Sequence, residues 1–290
     1  MTTPTQVDAL RDGDHACLTF SDAEERLDIV AAFVRDGLGQ GHQVVCLTES
    51  LPPDRLSAEL AWRAVPTEDC LRRGQLAVRT SDESWLAGGT LTAAKMIDLL
   101  AAQVEAARRD GYRGLRVTAD MCWATRPVIA VDQLLVFERE AGRLFADGWL
   151  TAICQYDRQS FDPVTLAFAT RAHPRAVAAI VYHEDPVLRI CRQHSPPGIR
   201  LAGEIDFMRA DVLDQALAET LRLDHHPQVN LSDLQFIDAA AAATIVRAAQ
   251  SLPPDRRMTL VCRGVVQRML ALVGADDVPA VRLQVAHAEP

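Results

Sequence analysis

The feature that most constrains the fold is a repeated alternation of amphipathic helices with short, wholly apolar strands. The predicted elements are the helix 23–37, the strand 44–47, the helix 93–108, the strand 115–118, the helix 133–145 and the strand 150–154. Strands that are apolar on both faces are typical of a parallel sheet with helices on both sides. The first part of the chain is therefore predicted to be an α/β domain with a largely parallel sheet.

The pattern changes near residue 184, where the turn-forming segments Glu184-Asp185-Pro186 and His194–Gly198 occur. The elements predicted beyond them are strands at 187–191 and 199–204, a helix at 210–223, a strand at 229–231, a helix at 239–252, a strand at 259–262, a helix at 265–273 and a strand at 281–285. A chain of 290 residues is long enough for two domains. We expect these to be residues 1–180 and a smaller α/β domain at residues 187–288.

Composition excludes several classes of function. Lys and Arg number 30 against 39 Asp and Glu, a net charge of −9, so a nucleic-acid partner is not expected. No apolar run reaches the roughly 20 residues of a membrane helix, and the first residues lack the pattern of a signal peptide. The seven cysteines are scattered without a C-x-x-C pair, which is typical of free thiols in a reducing compartment. We therefore expect a cytoplasmic protein with no membrane partner.

Two motifs of the second domain carry a family resemblance. They are the segment Leu201–Asp206 (LAGEID) and the segment Asn230–Asp238 (NLSDLQFID), followed by a helix that starts with small residues. This half resembles the STAS domain of the anti-sigma factor antagonist type. The resemblance implies a protein partner, either an anti-sigma factor or other STAS proteins, and it is compatible with a homo-oligomer. In the antagonist branch, a serine directly after the motif aspartate is phosphorylated, which switches partner binding off.

The residues at that switch position depart from the family pattern. The predicted partner-binding and switch residues are Asp206, Asp238, Ala239 and Ala240. Because Ala239 has no hydroxyl, the family's phosphorylation switch cannot operate there. Thr244 lies further along the helix and is a poor substitute. Asp238 is predicted to cap the helix by accepting backbone N–H groups.

The first domain resembles the MEDS family over residues 10–175. The resemblance rests on short motifs that include Asp14-His15-x-Cys17, Gly111–Thr118, Cys154–Asp157 and His173-Pro174. It implies a sensory domain for small hydrocarbon derivatives, with a fold similar to the RecA/KaiC ATPase core.

The chain lacks the phosphate-binding loop of such ATPases. No G-x-x-x-x-G-K-[ST] occurs, and three acids stand where the first helix begins, at Asp22, Glu24 and Glu25. Asp120 lies near the position of the magnesium carboxylate but has no phosphate loop to assist. Hydrolysis of ATP is therefore not expected, and we predict a ligand pocket at the carboxyl ends of the strands.

The predicted ligand-binding residues combine imidazole, thiol and phenol groups. They are His15, Cys17, Cys154, Tyr156 and His173. His15 and Cys17 lie two apart and share one face of a strand. His15, Cys17 and Cys154 are candidate zinc or iron ligands, or a thiol that responds to redox change beside an imidazole. Buried core residues of the same types are the alternative for each of them.

Three further features have structural interpretations. Arg116 and Glu138 are predicted to form a partly buried ion pair, Trp123 to belong to the core, and the segment 82–89, with Trp85, to form a lid. The function predicted from these features is a non-catalytic cytoplasmic protein in which a sensor of a small ligand or of redox state controls a STAS output. An enzyme that uses the thiol and imidazole groups of His15, Cys17 or Cys154 is the alternative, and a pure dimerisation platform is a third hypothesis.

Overall fold

The structure is a computed structural model that describes residues 5–84, 86–87, 92–126 and 131–286. The chain divides into two compact units, Met1–Ala178 and Ala179–Pro290. Trp85, Gly88 and Gly89 of the predicted lid lie outside the described residues. Within the described ranges, no helix has both the length and the apolar character that crossing a membrane requires.

The first unit is built on a parallel sheet whose strand order is β3-β2-β4-β5-β1-β6. Its described strands are β1 (His15–Phe20), β2 (Gln43–Thr48), β3 (Leu76–Thr80), β4 (Leu115–Asp120), β5 (Leu150–Asp157) and β6 (Arg175–Val177). Its described helices are α1 (Ala23–Gly39), α2 (Pro53–Trp62), α3 (Thr67–Arg72), α4 (Ala93–Arg109), α5 (Val131–Glu140) and α6 (Pro163–Ala172). The predicted parallel α/β fold is confirmed.

Helices cover both faces of this sheet, which explains why its strands are apolar throughout. Along β2, Val45 and Leu47 pack with α4, whereas Val44 and Cys46 pack with α1 and α2 on the other face. Side chains alternate between the two faces of a strand, so each face receives every second residue. The face beneath α4, α5 and α6 is the one that carries the candidate site.

Side-chain caps determine where several helices start. The carboxylate of Asp22 accepts the Glu25 N–H at the start of α1, and Asp162 accepts two N–H groups at the start of α6, where Pro163 takes the first helical position. These contacts satisfy N–H groups that have no partner within the helix.

The second unit contains a mixed sheet with strand order β12-β11-β10-β9-β8-β7. Its described strands are β7 (Val181–Glu184), β8 (Leu188–His194), β9 (Pro197–Ile205), β10 (Gln228–Ile237), β11 (Met258–Cys262) and β12 (Val281–Val285). Its described helices are α7 (Ala210–Leu223), α8 (Ala239–Gln250) and α9 (Gly264–Leu272). Strands β9 to β12 are parallel, while β7, β8 and β9 pair antiparallel. The unit begins before residue 187, because β7 pairs with β8.

The glycine at position 203 of the Leu201–Asp206 motif has a steric reason. Its φ is +100°, and a Cβ atom there would lie 2.0 Å from the carbonyl oxygen of Val187. A glycine is therefore required where β9 passes the chain that enters β8.

Candidate functional site

Four buried polar side chains meet inside the first unit. They are His15 at the start of β1, Glu138 on α5, Cys154 on β5 and His173 directly after α6. One ligand-type atom from each of the four lies within 4.8 Å of all the others. We call these four residues the His/Cys cluster. Each of the four is at most 4 % exposed, so the cluster belongs to the core rather than to an open cleft.

Strand register places the candidate residues of β1 next to those of β5. Cys17 and Cys154 are register partners on the neighbouring parallel strands β1 and β5. Residues two apart on a strand share a face, so His15 on β1 and Tyr156 on β5 lie on the same face as these two cysteines. Helices α5 and α6 pack over that face and add Glu138 and His173.

The contacts within the His/Cys cluster are short. Sγ of Cys154 lies 3.5 Å from Nε2 of His15, and that nitrogen lies 3.6 Å from Oε2 of Glu138. The same carboxylate oxygen lies 3.2 Å from Nε2 of His173. The His15 ring stacks on Phe145 with the ring centroids 4.2 Å apart.

The outer hydrogen bonds leave two inner atoms without a partner. Nδ1 of His173 lies 2.7 Å from the carbonyl oxygen of Ala169, which can only accept, so Nδ1 carries the proton. The hydroxyl of Tyr156 donates to Oε1 of Glu138. Nε2 of His173 and Oε2 of Glu138 make no hydrogen bond. Both face the interior of the cluster.

Burial shifts the pKa values of His15, Cys17, Cys154 and Tyr156 in the direction that favours their neutral forms. Burial first, and then the neighbouring His173, lowers the pKa of His15 well below its ordinary value. Burial, together with Glu138, raises the pKa of Cys154 and that of Tyr156 well above their ordinary values. Burial also raises the pKa of Cys17 to about 11. Without an added cation, these thiols are protonated at neutral pH.

The structure brings together most of the predicted ligand-binding residues, but not where they were expected. His15 lies against Cys154 and His173, and Tyr156 donates to Glu138 with its ring edge-on to His173. Cys17 lies beside them without belonging to the four-residue group. These residues do not meet at the carboxyl ends of the strands, where they were expected. His15 begins its strand, and the cluster lies on the face of the sheet beneath α5 and α6.

Glu138 is the member that the sequence interpretation assigned wrongly. The predicted ion pair with Arg116 does not form. The Arg116 guanidinium donates to the carbonyl oxygen of Phe33 and to Gln40 instead. The apolar stripe of α5 is the sequence signal that could have placed Glu138 correctly. Glu138 occupies an inward position of this helix beside the buried Leu134 and Phe137. An acid within an apolar stripe is a candidate for a buried site.

The carboxyl ends of β4 and β5 hold a second polar cluster, which is buried except for Ser50. We call it the Arg26–Asp120 network; its members are Arg26, Ser50, Thr118, Asp120 and Gln155. The Arg26 guanidinium donates to Asp120 at 2.8 Å, to Gln155 at 2.6 Å and to Ser50 at 2.6 Å. Ser50 in turn donates to Asp120 through both its N–H and its hydroxyl. These side chains fill the part of the edge that belongs to β4 and β5, where we expected a ligand.

Asp120 is held as a carboxylate in this network. Burial alone would raise its pKa, but Arg26 and the hydrogen bonds from Ser50 outweigh that effect and lower it. The connection from β1 to α1 consists of Ser21 and Asp22 alone, which is too short for a phosphate-binding loop. Trp123, which follows Asp120 closely, is fully buried in the core, as predicted.

The predicted switch region of the second unit is built around Asp238. One carboxylate oxygen of Asp238 accepts the N–H of Ala241 at 2.8 Å, which confirms the predicted helix cap. The other oxygen accepts the N–H of Phe207 at 2.9 Å. Asp206 caps the next short turn by accepting the N–H of Met208. Asp238 therefore links the start of α8 to the segment that follows β9.

The surface around this cap is apolar. Ala239 and Ala240 are exposed at the start of α8. Phe207 is 65 % exposed, Met208 is 73 % exposed and Phe236 is 45 % exposed. Together, these five residues form what we call the α8 apolar face. Large side chains that remain this exposed together are typical of an interaction surface.

Thr244 does not supply the missing hydroxyl. It is 3 % exposed, and its hydroxyl donates to the carbonyl oxygen of Ala240 while accepting from Arg247. A kinase could reach this oxygen only after the helix had opened.

Family comparisons identify both units. Residues 14–174, more than half of the chain, match the family described as MEDS, the MEthanogen/methylotroph, DcmR Sensory domain. The chain therefore belongs to the MEDS family. Residues 188–283 match the family described as Mlab, STAS domain. A sensory domain followed by a STAS output is the organisation of a signalling protein, as predicted. The comparison with curated proteins gave no match.

Several solved structures are similar to the chain. A KaiC-like protein from Pyrococcus horikoshii has 13 % sequence identity and a TM-score of 0.47, with 63 % of this chain and 80 % of that chain covered. The flagellar accessory protein FlaH from Methanocaldococcus jannaschii has 10 % identity and a TM-score of 0.43, with coverage of 65 % and 83 %. An uncharacterised Pyrococcus horikoshii protein in complex with an unknown peptide has 14 % identity and a TM-score of 0.48, with coverage of 63 % and 84 %.

Proposed function

We propose that the chain is a non-catalytic signalling protein of the cytoplasm. In this proposal, the MEDS domain binds a small ligand or responds to redox state at the His/Cys cluster, and Cys17 and Tyr156 border that site. The STAS domain binds a protein partner, an anti-sigma factor or another STAS protein. All seven cysteines are free thiols, which supports a reducing compartment.

One observation carries the sensor half of this proposal. Nε2 of His173 and Oε2 of Glu138 lie 3.2 Å apart in the buried core, and neither atom has a hydrogen-bond partner in the described part of the chain. A buried polar atom without a partner lowers stability by about 1–3 kcal/mol, so such atoms are unfavourable for folding alone. A proton or a bound group between the two atoms would satisfy both, and we propose that a bound group does so.

The output half rests on the α8 apolar face. Its aromatic and thioether side chains surround the position at which the STAS antagonists carry their serine. Ala239 stands there, so the partner is bound without control by a phosphate on this residue. Control therefore comes from the sensory domain, through a ligand that favours one state of the protein over another.

The experiment for the output half is affinity capture of the full chain with quantitative mass spectrometry. We expect an anti-sigma factor or a STAS protein to be captured by the wild type and lost from the double variant Phe207→Ser, Met208→Ser. Leu272→Ser is the matched control. Leu272 is 83 % exposed and is the last residue of α9. Helix α9 follows the carboxyl end of β11 and runs back toward the opposite edge of the sheet. Equal capture by both variants would refute the assignment of this face.

The contact between Cys154 and His15 favours one second candidate, a thiol enzyme. Its thiol and imidazole are 3.5 Å apart, as a nucleophile and its base must be. The raised pKa of Cys154 and its 4 % exposure argue against that function. We expect iodoacetamide to leave Cys154 unmodified in the folded chain. Rapid alkylation of Cys154 before the other buried thiols would favour the enzyme instead.

A further inference from the structure

Three of the six distances inside the His/Cys cluster match those between the ligands of a tetrahedral metal ion, and all four ligand atoms lie within 4.8 Å of one another. Bonds of about 2.0–2.3 Å from zinc to nitrogen, oxygen and sulfur place neighbouring ligand atoms about 3.3–3.6 Å apart in a tetrahedron. Sγ of Cys154 and Nε2 of His15 are 3.5 Å apart, and Nε2 of His15 and Oε2 of Glu138 are 3.6 Å apart. Oε2 of Glu138 and Nε2 of His173 are 3.2 Å apart. The four side chains come from four different elements, so this match does not follow from local sequence spacing.

The hydrogen bonds around the cluster orient its lone pairs inward. The Nδ1–H of His173 donates to the carbonyl oxygen of Ala169, so the lone pair of that ring is on Nε2, inside the cluster. The Tyr156 hydroxyl donates to Oε1 of Glu138 from outside the cluster, so Oε2 of Glu138 is left facing Nε2 of His173. Metal-binding histidines and carboxylates are held by such outer partners. Two facing lone pairs repel each other unless a proton or a cation lies between them.

Charge also favours a divalent cation. A thiolate from Cys154 and the carboxylate of Glu138 carry two negative charges, and two neutral imidazoles add none. A doubly charged ion therefore gives a neutral site, which a dry core requires. On binding, the Sγ–H bond of Cys154 breaks, its proton passes to solvent and its electron pair forms the bond to the metal.

We propose that His15, Glu138, Cys154 and His173 bind one zinc(II) ion. The inference rests on the proposed function, because it names the ligand of the same sensory site. One thiolate, two imidazoles and one carboxylate are ligands that zinc prefers. Four protein ligands close the coordination sphere, so no position remains for a substrate. The ion ties α5 and α6 to strands β1 and β5, and occupancy by zinc is the event that the sensory domain detects.

The test is the metal content of the full chain, purified without chelator from cells grown with added zinc. We expect close to one zinc per chain in the wild type and at least a tenfold lower content in Cys154→Ser. Cys46→Ser is the matched control, because Cys46 is an equally buried thiol of the same unit on the opposite face of the sheet. Its zinc content is expected to equal that of the wild type.

A second measurement covers the case in which Cys154→Ser does not fold. Wild-type protein freed of metal is titrated with Co²⁺, and we expect thiolate-to-cobalt charge-transfer absorption that saturates at one equivalent. Zinc below about one tenth per chain together with no such absorption would overturn the proposal. Equal loss of zinc from Cys46→Ser, or stoichiometric iron in place of zinc, would also overturn it.

Zinc content and partner capture together distinguish failure of the metal assignment from failure of the proposed signalling function. Partner capture by the α8 apolar face does not require zinc to be the ligand. If partner capture succeeds and zinc is absent, the metal assignment alone has failed. If zinc is stoichiometric and the α8 variants capture partners as the wild type does, the proposed output has failed while the metal site stands.

Discussion

The first unit contains two polar clusters on the same sheet, one buried and one buried except for Ser50, and they differ in how their hydrogen-bonding atoms are satisfied. In the Arg26–Asp120 network, the guanidinium and the carboxylate are bonded to each other and to Ser50. In the His/Cys cluster, one carboxylate oxygen and one imidazole nitrogen face each other without a hydrogen bond. A satisfied network closes a site, whereas an unsatisfied one marks a place for a missing group.

The two clusters also differ in position. The Arg26–Asp120 network lies at the carboxyl ends of β4 and β5, part of the edge at which parallel α/β folds bind ligands. The His/Cys cluster lies within the core instead, on the face of the sheet beneath α5 and α6. The candidate site is therefore internal, and the protein's own side chains are bonded to one another at the carboxyl ends of these two strands.

The largest expected effect comes from breaking the satisfied network. Asp120→Ala leaves the Arg26 guanidinium buried without its counter-ion and is expected to lower the free energy of unfolding by about 3–5 kcal/mol. The four tryptophans, Trp62, Trp85, Trp123 and Trp149, all lie in the first unit, so their fluorescence during urea unfolding reports on that unit. The control Asp98→Ala, at an exposed position of α4, is expected to stay within about 0.5 kcal/mol. A similar loss in both variants would contradict the comparison.

The Arg26–Asp120 network makes the free energy of unfolding depend on pH. The pKa of Asp120 is lowered in the folded protein, so its contribution to stability is present above its unfolded value of about 3.9. That contribution is lost as the pH falls through the lower folded pKa. We expect the difference in unfolding free energy between the wild type and Asp120→Asn to be constant near neutrality and to shrink below about pH 4. A difference that grows on acidification would show that Asp120 is not held as a carboxylate.

A smaller effect of opposite sign is expected in the His/Cys cluster. In metal-free protein, Glu138→Gln keeps an acceptor for Tyr156 and supplies an N–H group that can donate to Nε2 of His173. This change is expected to raise the free energy of unfolding by about 0.5–1.5 kcal/mol, the contribution of one hydrogen bond. Chelator-treated wild type and variant are compared by urea unfolding. A loss of more than about 1 kcal/mol would mean that the carboxylate is already satisfied without a metal.

The smallest effect on stability is expected in the second unit. Ala239→Ser alters an exposed position and is expected to change the free energy of unfolding by less than about 0.5 kcal/mol. It restores the hydroxyl of the STAS antagonists, so an anti-sigma kinase with ATP is expected to phosphorylate the variant at position 239 and to leave the wild type unmodified there. Phosphopeptide mapping decides the outcome. Phosphate on Thr244 of the wild type would show that the switch has moved along the helix.

Much of the fold could be predicted because its signals are local. The predicted helix 210–223 and strand 281–285 coincide with α7 and β12, since an apolar stripe and its boundaries are readable within each segment. The strand β3 and the helices α2, α3 and α6 were not predicted. Strand β3 mixes polar residues with apolar ones, and Arg79 is exposed in it, so it lacks the continuous apolar run of the central strands.

The candidate site could be predicted in its residue types but not in its position. Imidazole and thiol groups near strands indicated His15, Cys154 and His173. Their depth beneath α5 and α6 depends on how helices pack over the sheet, which no local pattern specifies. The ion pair predicted between Glu138 and Arg116 does not form. The two belong to different cores, and only the fold reveals that.

X-ray absorption at the zinc edge of the full chain tests the central claim most directly. The account predicts a four-coordinate ion with one sulfur ligand at about 2.3 Å and three nitrogen or oxygen ligands at about 2.0–2.2 Å. The sulfur is that of Cys154. A wild-type spectrum without sulfur in the first coordination shell would contradict the account, because the ion would then lie outside the His/Cys cluster.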